Sequence, residues 1–103
     1  MAVLLELSMW PMDKGDSVSA YVARCLEVID ASGLDYRLGP MGTCIEGDYD
    51  EVMDVVKQCF EHLAVDCERV TAGIKLDYRK DRAGRLRTKI DSVEQRVGRK
   101  LKT

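Results

Sequence analysis

The sequence predicts an α+β fold, an antiparallel four-stranded sheet with two helices on one face, and three observations predict it. Four segments alternate apolar and polar residues at a period of two, and two longer segments carry apolar residues at helical spacing. Between the second and third alternating runs, "GPMG" at residues 39 to 42 forces a tight turn. The resulting order of strand, helix, strand, strand, helix, strand is the split β-α-β sandwich called ferredoxin-like.

The first strand is predicted over residues 2–10, where Val3, Leu5, Leu7 and Met9 form an apolar face and Leu4, Glu6, Ser8 and Trp10 a mixed one. Pro11 and "DKGD" end it. A helix over 17–32 follows, with Asp16 or Ser17 as its cap, the stripe Val18, Tyr21, Val22, Cys25 and Ile29, and Gly33 as the left-handed stop. Leu34, Tyr36 and Leu38 alternate with Asp35 and Arg37 over 34–39, and 43–48 answers as the second arm of a hairpin. The turn glycines, Gly39 and Gly42, are expected to supply close backbone approach and positive φ. Asp48, with Glu51 three places on, opens a helix over 48–64 on the stripe Tyr49, Val52, Met53, Val56, Phe60 and Leu63. The last strand spans 67–78, with Val70, Ala72, Ile74 and Leu76 facing one way. Beyond it, Leu86, Ile90, Val93, Val97 and Leu101 form a narrow stripe on a tail helix over 86–100. Such a stripe needs a partner: a sheet edge, the open sheet face or another subunit.

A chain of 103 residues suits one domain, 1–103, with 79–103 as a basic tail. Residues 1–78 hold 6 basic and 15 acidic side chains, a balance of −9, and residues 79–103 hold 10 and 3, a balance of +7. A basic tail can read nucleic acid, but no aromatic residue is interleaved with these charges, and an acidic body offers them a nearer complement. Nucleic acid is therefore not an expected partner. The apolar start lacks a basic leader and is interrupted by Glu6, which predicts neither a signal peptide nor a membrane span, and hence a cytoplasmic protein. Cys25, Cys44, Cys59 and Cys67 form no Cys-x-x-Cys pair and His62 stands alone, so no metal site and no cofactor are expected. Cys25 and Cys59 read as small buried hydrophobes kept reduced.

No nucleophile-elbow, phosphate-loop or His-Glu-x-x-His pattern is present, which argues against an enzyme. What remains is a group of polar and aromatic residues around the hairpin and the end of strand one: Ser8, Trp10, Pro11, Ser19, Tyr36, Thr43 and Glu46. They read either as ordinary turn and strand chemistry or as a small aromatic-walled pocket.

The runs "MWPMDKGDSVSAYVARCLEVIDASG" and "GLDYRLGPMGTCIEGDYDEVMDVVKQCFEHL" resemble the thiamine-binding protein family, and the likeness covers nearly residues 2–95. Its most specific part is Gly-Pro-x-x-Thr-x-x-Glu-Gly, met as Gly39, Pro40, Thr43, Glu46 and Gly47. The resemblance implies a ferredoxin-like fold, dimers that pair into tetramers through their sheets, and non-catalytic binding of thiamine or its hydroxymethylpyrimidine part as carrier, buffer or sensor. Thr43 and Glu46 match that motif, while Pro11 and Ser19 match the segment between strand one and helix one. Tyr36 and Trp10 could stack on a pyrimidine, with a hydroxyl and a carboxylate orienting it. An oligomeric structural or interaction module without a small-molecule ligand is the alternative reading, and a small enzyme of the thiamine pathway is a third, for which no base or nucleophile stands in a recognisable setting.

Overall fold

The computed structural model describes residues 1–103. Its elements are β1 (Ala2–Pro11), α1 (Ser19–Ala31), β2 (Asp35–Leu38), β3 (Thr43–Asp48), α2 (Tyr49–Ala64), β4 (Val70–Tyr78) and α3 (Arg85–Val97). The sheet order is β2-β3-β1-β4 with every neighbouring pair antiparallel, consistent with the ferredoxin-like arrangement.

Alternation along β1 decides which face is which. Val3, Leu5, Leu7 and Met9 are all buried beneath α1 and α2, joined by Ile45 of β3, Ile29 of α1 and Val52, Cys59 and Leu63 of α2. Leu5, Ile45 and Cys59 have no exposed surface at all, so truncation of Leu5 to alanine falls in the range of about 2–5 kcal/mol for emptied core sites. Gly47 faces the same core. A Cβ there would lie 2.9 Å from Leu34 Cδ2, so the glycine makes room for Leu34 rather than for a turn.

Helix starts and stops follow local chemistry with one exception. Asp48 accepts from the Asp50 amide at 3.3 Å and caps α2, and Gly33, at φ +77°, ends α1. The expected cap of α1 by Asp16 or Ser17 is not made: Tyr21 and Val22 amides both donate to the Val18 carbonyl, so Val18 is the cap residue and Ser19 the first helical one. The last strand begins at Val70, not at residue 67, because Asp13 draws the preceding residues into a clasp. Its carboxylate accepts from the Glu68 and Arg69 amides at 2.8 and 3.3 Å.

The tail helix packs on the open face, over β3 and β2. Its first residues are held by β3. Glu46, only 8% exposed, accepts from the Arg85 amide at 2.7 Å and the Leu86 amide at 3.2 Å. Gly84 precedes α3 in the left-handed conformation and offers no side chain, so Glu46 supplies from 39 residues away the oxygen that a cap residue normally provides. Arg85 and Lys89 then both reach Asp77 of β4, Lys89 at 2.8 Å, and hold its carboxyl below the usual carboxylate range, Lys89 contributing most.

Candidate functional site

Strand β1 outruns its neighbour. It pairs with β3 only as far as Leu7 opposite Thr43, whereas its pairing with β4 continues through Met9, Trp10 and Pro11. Where β3 is missing, the space between β1, α1 and the hairpin turn forms a cavity of about 350 Å³. Leu7 and Met9 floor it, Val22, Cys25 and Leu26 of α1 wall it, and the turn from Leu38 to Gly42 borders it. None of its lining residues is charged.

The same early stop leaves main-chain groups without partners. The Met12 amide donates to the Arg69 carbonyl at 2.7 Å, which makes residues 12 and 69 a hydrogen-bonded pair. By antiparallel alternation Trp10 also bonds to β4, while the N–H and C=O of Met9, and the ring nitrogen and C=O of Pro11, point to the opposite side. Pro11 therefore loses no ladder bond. For Met9 that opposite side is the one β3 has vacated, so a donor and an acceptor of the main chain aim toward the cavity.

The turn is fixed by one hydrogen bond and by two positions with no room for a side chain. Gly39 N–H donates to the Gly42 carbonyl at 2.9 Å, a Cβ on Gly39 would lie 2.8 Å from that same oxygen, and a Cβ on Gly42 would lie 3.2 Å from the Leu7 carbonyl. Positive φ is not what these glycines provide, contrary to expectation: the positive-φ glycines are Gly15, Gly33, Gly84 and Gly98. Ser8 ties the turn to β1, its hydroxyl donating to the Met41 carbonyl at 2.8 Å.

Of the residues singled out from sequence, the cavity brings together Ser8, Trp10 and Thr43. Thr43 is 4% exposed and faces the cavity, and the chain's own side-chain hydrogen bonds leave its hydroxyl free. The other four lie elsewhere. Glu46 faces the opposite side of the sheet beneath α3, and Pro11 is packed in the interior at the end of β1. Ser19 is exposed at the start of α1. Tyr36 ties β2 to α1 by donating its hydroxyl to Asp30 at 2.8 Å, a bond that pushes its own pKa up. Sequence reasoning assigned Val22 and Cys25 to the core stripe and passed over Met9 as a cavity-lining residue. The signal that could have found Met9 is the unequal length of β1 and β3.

A family model described as "Thiamine-binding protein" matches residues 5–94. The chain belongs to that family. Among its relatives, a UPF0045 protein of Synechocystis sp. is 39% identical over 95 residues, covering 91% of this chain and 78% of the relative. A UPF0045 protein of Methanocaldococcus jannaschii is 35% identical over 91 residues, 88% of this chain and 91% of the relative. A solved structure of a hypothetical protein from Methanocaldococcus jannaschii superposes with a TM-score of 0.85 at 34% identity, covering 91% of this chain and 97% of that one. A Thermotoga maritima structure, named as that of a candidate thiamine biosynthesis/salvage protein, shares the fold with a TM-score of 0.79 at 24% identity over 90% of this chain and 99% of that one. In this thiamine-binding family member the conspicuous Gly-Pro-x-x-Thr-x-x-Glu-Gly run divides its work. Gly39 closes the turn, Thr43 borders the cavity, Glu46 anchors α3 and Gly47 admits Leu34.

Proposed function

We propose that the chain binds thiamine or its hydroxymethylpyrimidine part without catalysis, as a carrier, buffer or sensor, and that the pyrimidine ring is what the cavity holds. One observation carries the reading: Met9 turns an unpartnered N–H and C=O toward an uncharged cavity. An aminopyrimidine presents an amino donor beside a ring-nitrogen acceptor, the complement of that pair. The Thr43 hydroxyl supplies a further polar contact, and Trp10 at the rim supplies an aromatic face. With no carboxylate in the lining, a cationic thiazolium gains nothing inside and stays at the mouth. The neutral pyrimidine is accordingly the tighter-held portion.

Calorimetry with hydroxymethylpyrimidine, its 4-oxo analogue and thiamine tests this. The 4-oxo compound turns the ring nitrogen into a donor facing the Met9 N–H, and each buried polar group left unmet costs about 1–3 kcal/mol, so its affinity should fall by roughly ten- to a hundredfold. Equal affinity for the amino and oxo compounds would refute the Met9 pairing. The absence of heat from all three would favour the interaction-module reading, which has its own support at the sheet edge. There β4 has an unpaired side nine residues long, and its helix-facing Ile74, Leu76 and Tyr78 are 48%, 46% and 50% exposed. A second copy of this chain pairing along β4 would cover that row, and self-association of this kind is compatible with ligand binding.

A further inference from the structure

We propose that Cys25 and Cys59 form an oxidisable thiol pair that cross-links α1 to α2, with Cys25 attacked first because it borders the ligand cavity. Both cysteines are free and buried, Cys25 at 3% and Cys59 at 0% exposure. They face each other across the contact between the helices. The Cys59 sulfur lies 3.5 Å from the Cys25 carbonyl oxygen, to which its thiol donates. A cysteine side chain resting directly on the main chain of the neighbouring helix requires close helix approach, which is what a disulfide needs.

The two sulfurs are not equivalent. Cys25 is part of the cavity wall, so a molecule the size of hydrogen peroxide reaches it through the cavity, whereas Cys59 lies behind it and lines no part of that space. The neighbouring Cys59 thiol favours the thiolate of Cys25 and pulls its pKa down, while the proximity of Cys25 and burial push Cys59 up. Nucleophile and resolving partner are thereby distinguished. The Cys25 thiolate attacks one oxygen of hydrogen peroxide, the O–O bond breaks, and the departing hydroxide takes up the proton that Cys25 had released, forming one water. The Cys59 sulfur then attacks the resulting sulfenic sulfur. An S–S bond forms, the S–O bond breaks, and the oxygen leaves as a second water carrying the Cys59 proton. Two thiols are oxidised by two electrons in total, and one peroxide is reduced to two waters. The product fixes the cavity wall to α2, so the oxidation state of the pair and the shape of the ligand cavity are linked.

The test is peptide mapping of the reduced full chain after hydrogen peroxide treatment and alkylation. The expected product is a Cys25–Cys59 cross-linked peptide, with Cys44 and Cys67 still alkylated. Oxidation that leaves Cys25 and Cys59 alkylated, or joins Cys44 or Cys67 instead, would overturn the pairing. In Cys59→Ser a dimedone adduct should accumulate at Cys25, and in Cys25→Ser peroxide consumption should fall at least tenfold with no adduct at Cys59. Oxidation of Cys59 in Cys25→Ser at the wild-type rate would overturn the assigned order. A final arm rests on the proposed ligand: saturation with hydroxymethylpyrimidine, verified independently by calorimetry, should slow cross-linking at least tenfold. Binding without protection would show that Cys25 is not reached through the cavity, whereas failure to bind would count against the ligand reading and leave the cross-link itself to the first two arms.

Discussion

Replacing Glu46 by alanine removes both oxygens that hold the first two amides of α3. A hydrogen bond to a charged acceptor contributes about 1.5–3 kcal/mol, and loss of a helix cap alone costs about 1 kcal/mol. The two bonds share one carboxylate and lie at one helix end, so their effects overlap and the expected loss is about 3 kcal/mol for docking of the tail helix. Apart from the ion pairs of Arg85 and Lys89 with Asp77, little else holds that helix. Leu86 and Ile90 are only partly buried, and Val93 and Val97 are 53% and 44% exposed. The loss should therefore be local: hydrogen exchange at the amides of residues 86–97 should quicken by roughly a hundredfold, at a tenfold change per 1.4 kcal/mol, while the amides of β1 and α2 change little. Unchanged exchange at Leu86 and Ile90 in a folded Glu46→Ala protein would refute the anchoring role. A fall of more than tenfold in pyrimidine affinity, with α3 still protected, would place Glu46 at the ligand instead.

Thr43→Val should weaken pyrimidine binding by about 1–3 kcal/mol, with little effect on the thermal midpoint, and calorimetry that finds unchanged affinity would remove Thr43 from the site. Gly39→Ala sets a Cβ against the Gly42 carbonyl at 2.8 Å, so the turn must open; a lower denaturation midpoint and weaker ligand binding are expected together. The depressed pKa of Asp77 means that its ion pairs with Lys89 and Arg85 favour the folded state above the unfolded carboxyl value near 4, and that this contribution fades as pH falls through the lower folded value. Acid titration followed by hydrogen exchange should release α3 before the sheet, and Asp77→Asn should reduce the pH dependence of that step. Light scattering should return an even multiple of 11.6 kDa at micromolar concentration, and a charge placed at Leu76 should lower the mass toward one chain.

The regular elements were legible because each carries its own period. β1 alternates cleanly, α2 runs a continuous stripe behind a true Asp48 cap, and α3 shows its spacing of four and three. Less local facts were not legible. Nothing near Arg85 in sequence announces that its helix is capped from β3, and Glu46 read as a ligand group because its carboxylate had no visible structural use. Asp13 likewise claims the amides of Glu68 and Arg69 from 55 and 56 residues away, which is why β4 starts later than its alternation suggests. At the site, Thr43 and Trp10 could be picked out by residue type. Met9 could not, because its contribution is main-chain and depends on where a different strand stops.

That stopping point has a consequence for how the cavity could change over evolution or by design. The hairpin reverses within Gly39 to Gly42, so β3 begins opposite Leu7 and its next pairing positions along β1 stay vacant. Two residues added to each arm of the hairpin would carry β3 past Met9, satisfy its N–H and C=O from within the chain, and fill the cavity with the protein's own backbone. The proposed ligand thus stands in for a missing piece of strand, and the length of one turn sets whether the sheet edge is completed by the polypeptide or by a small molecule.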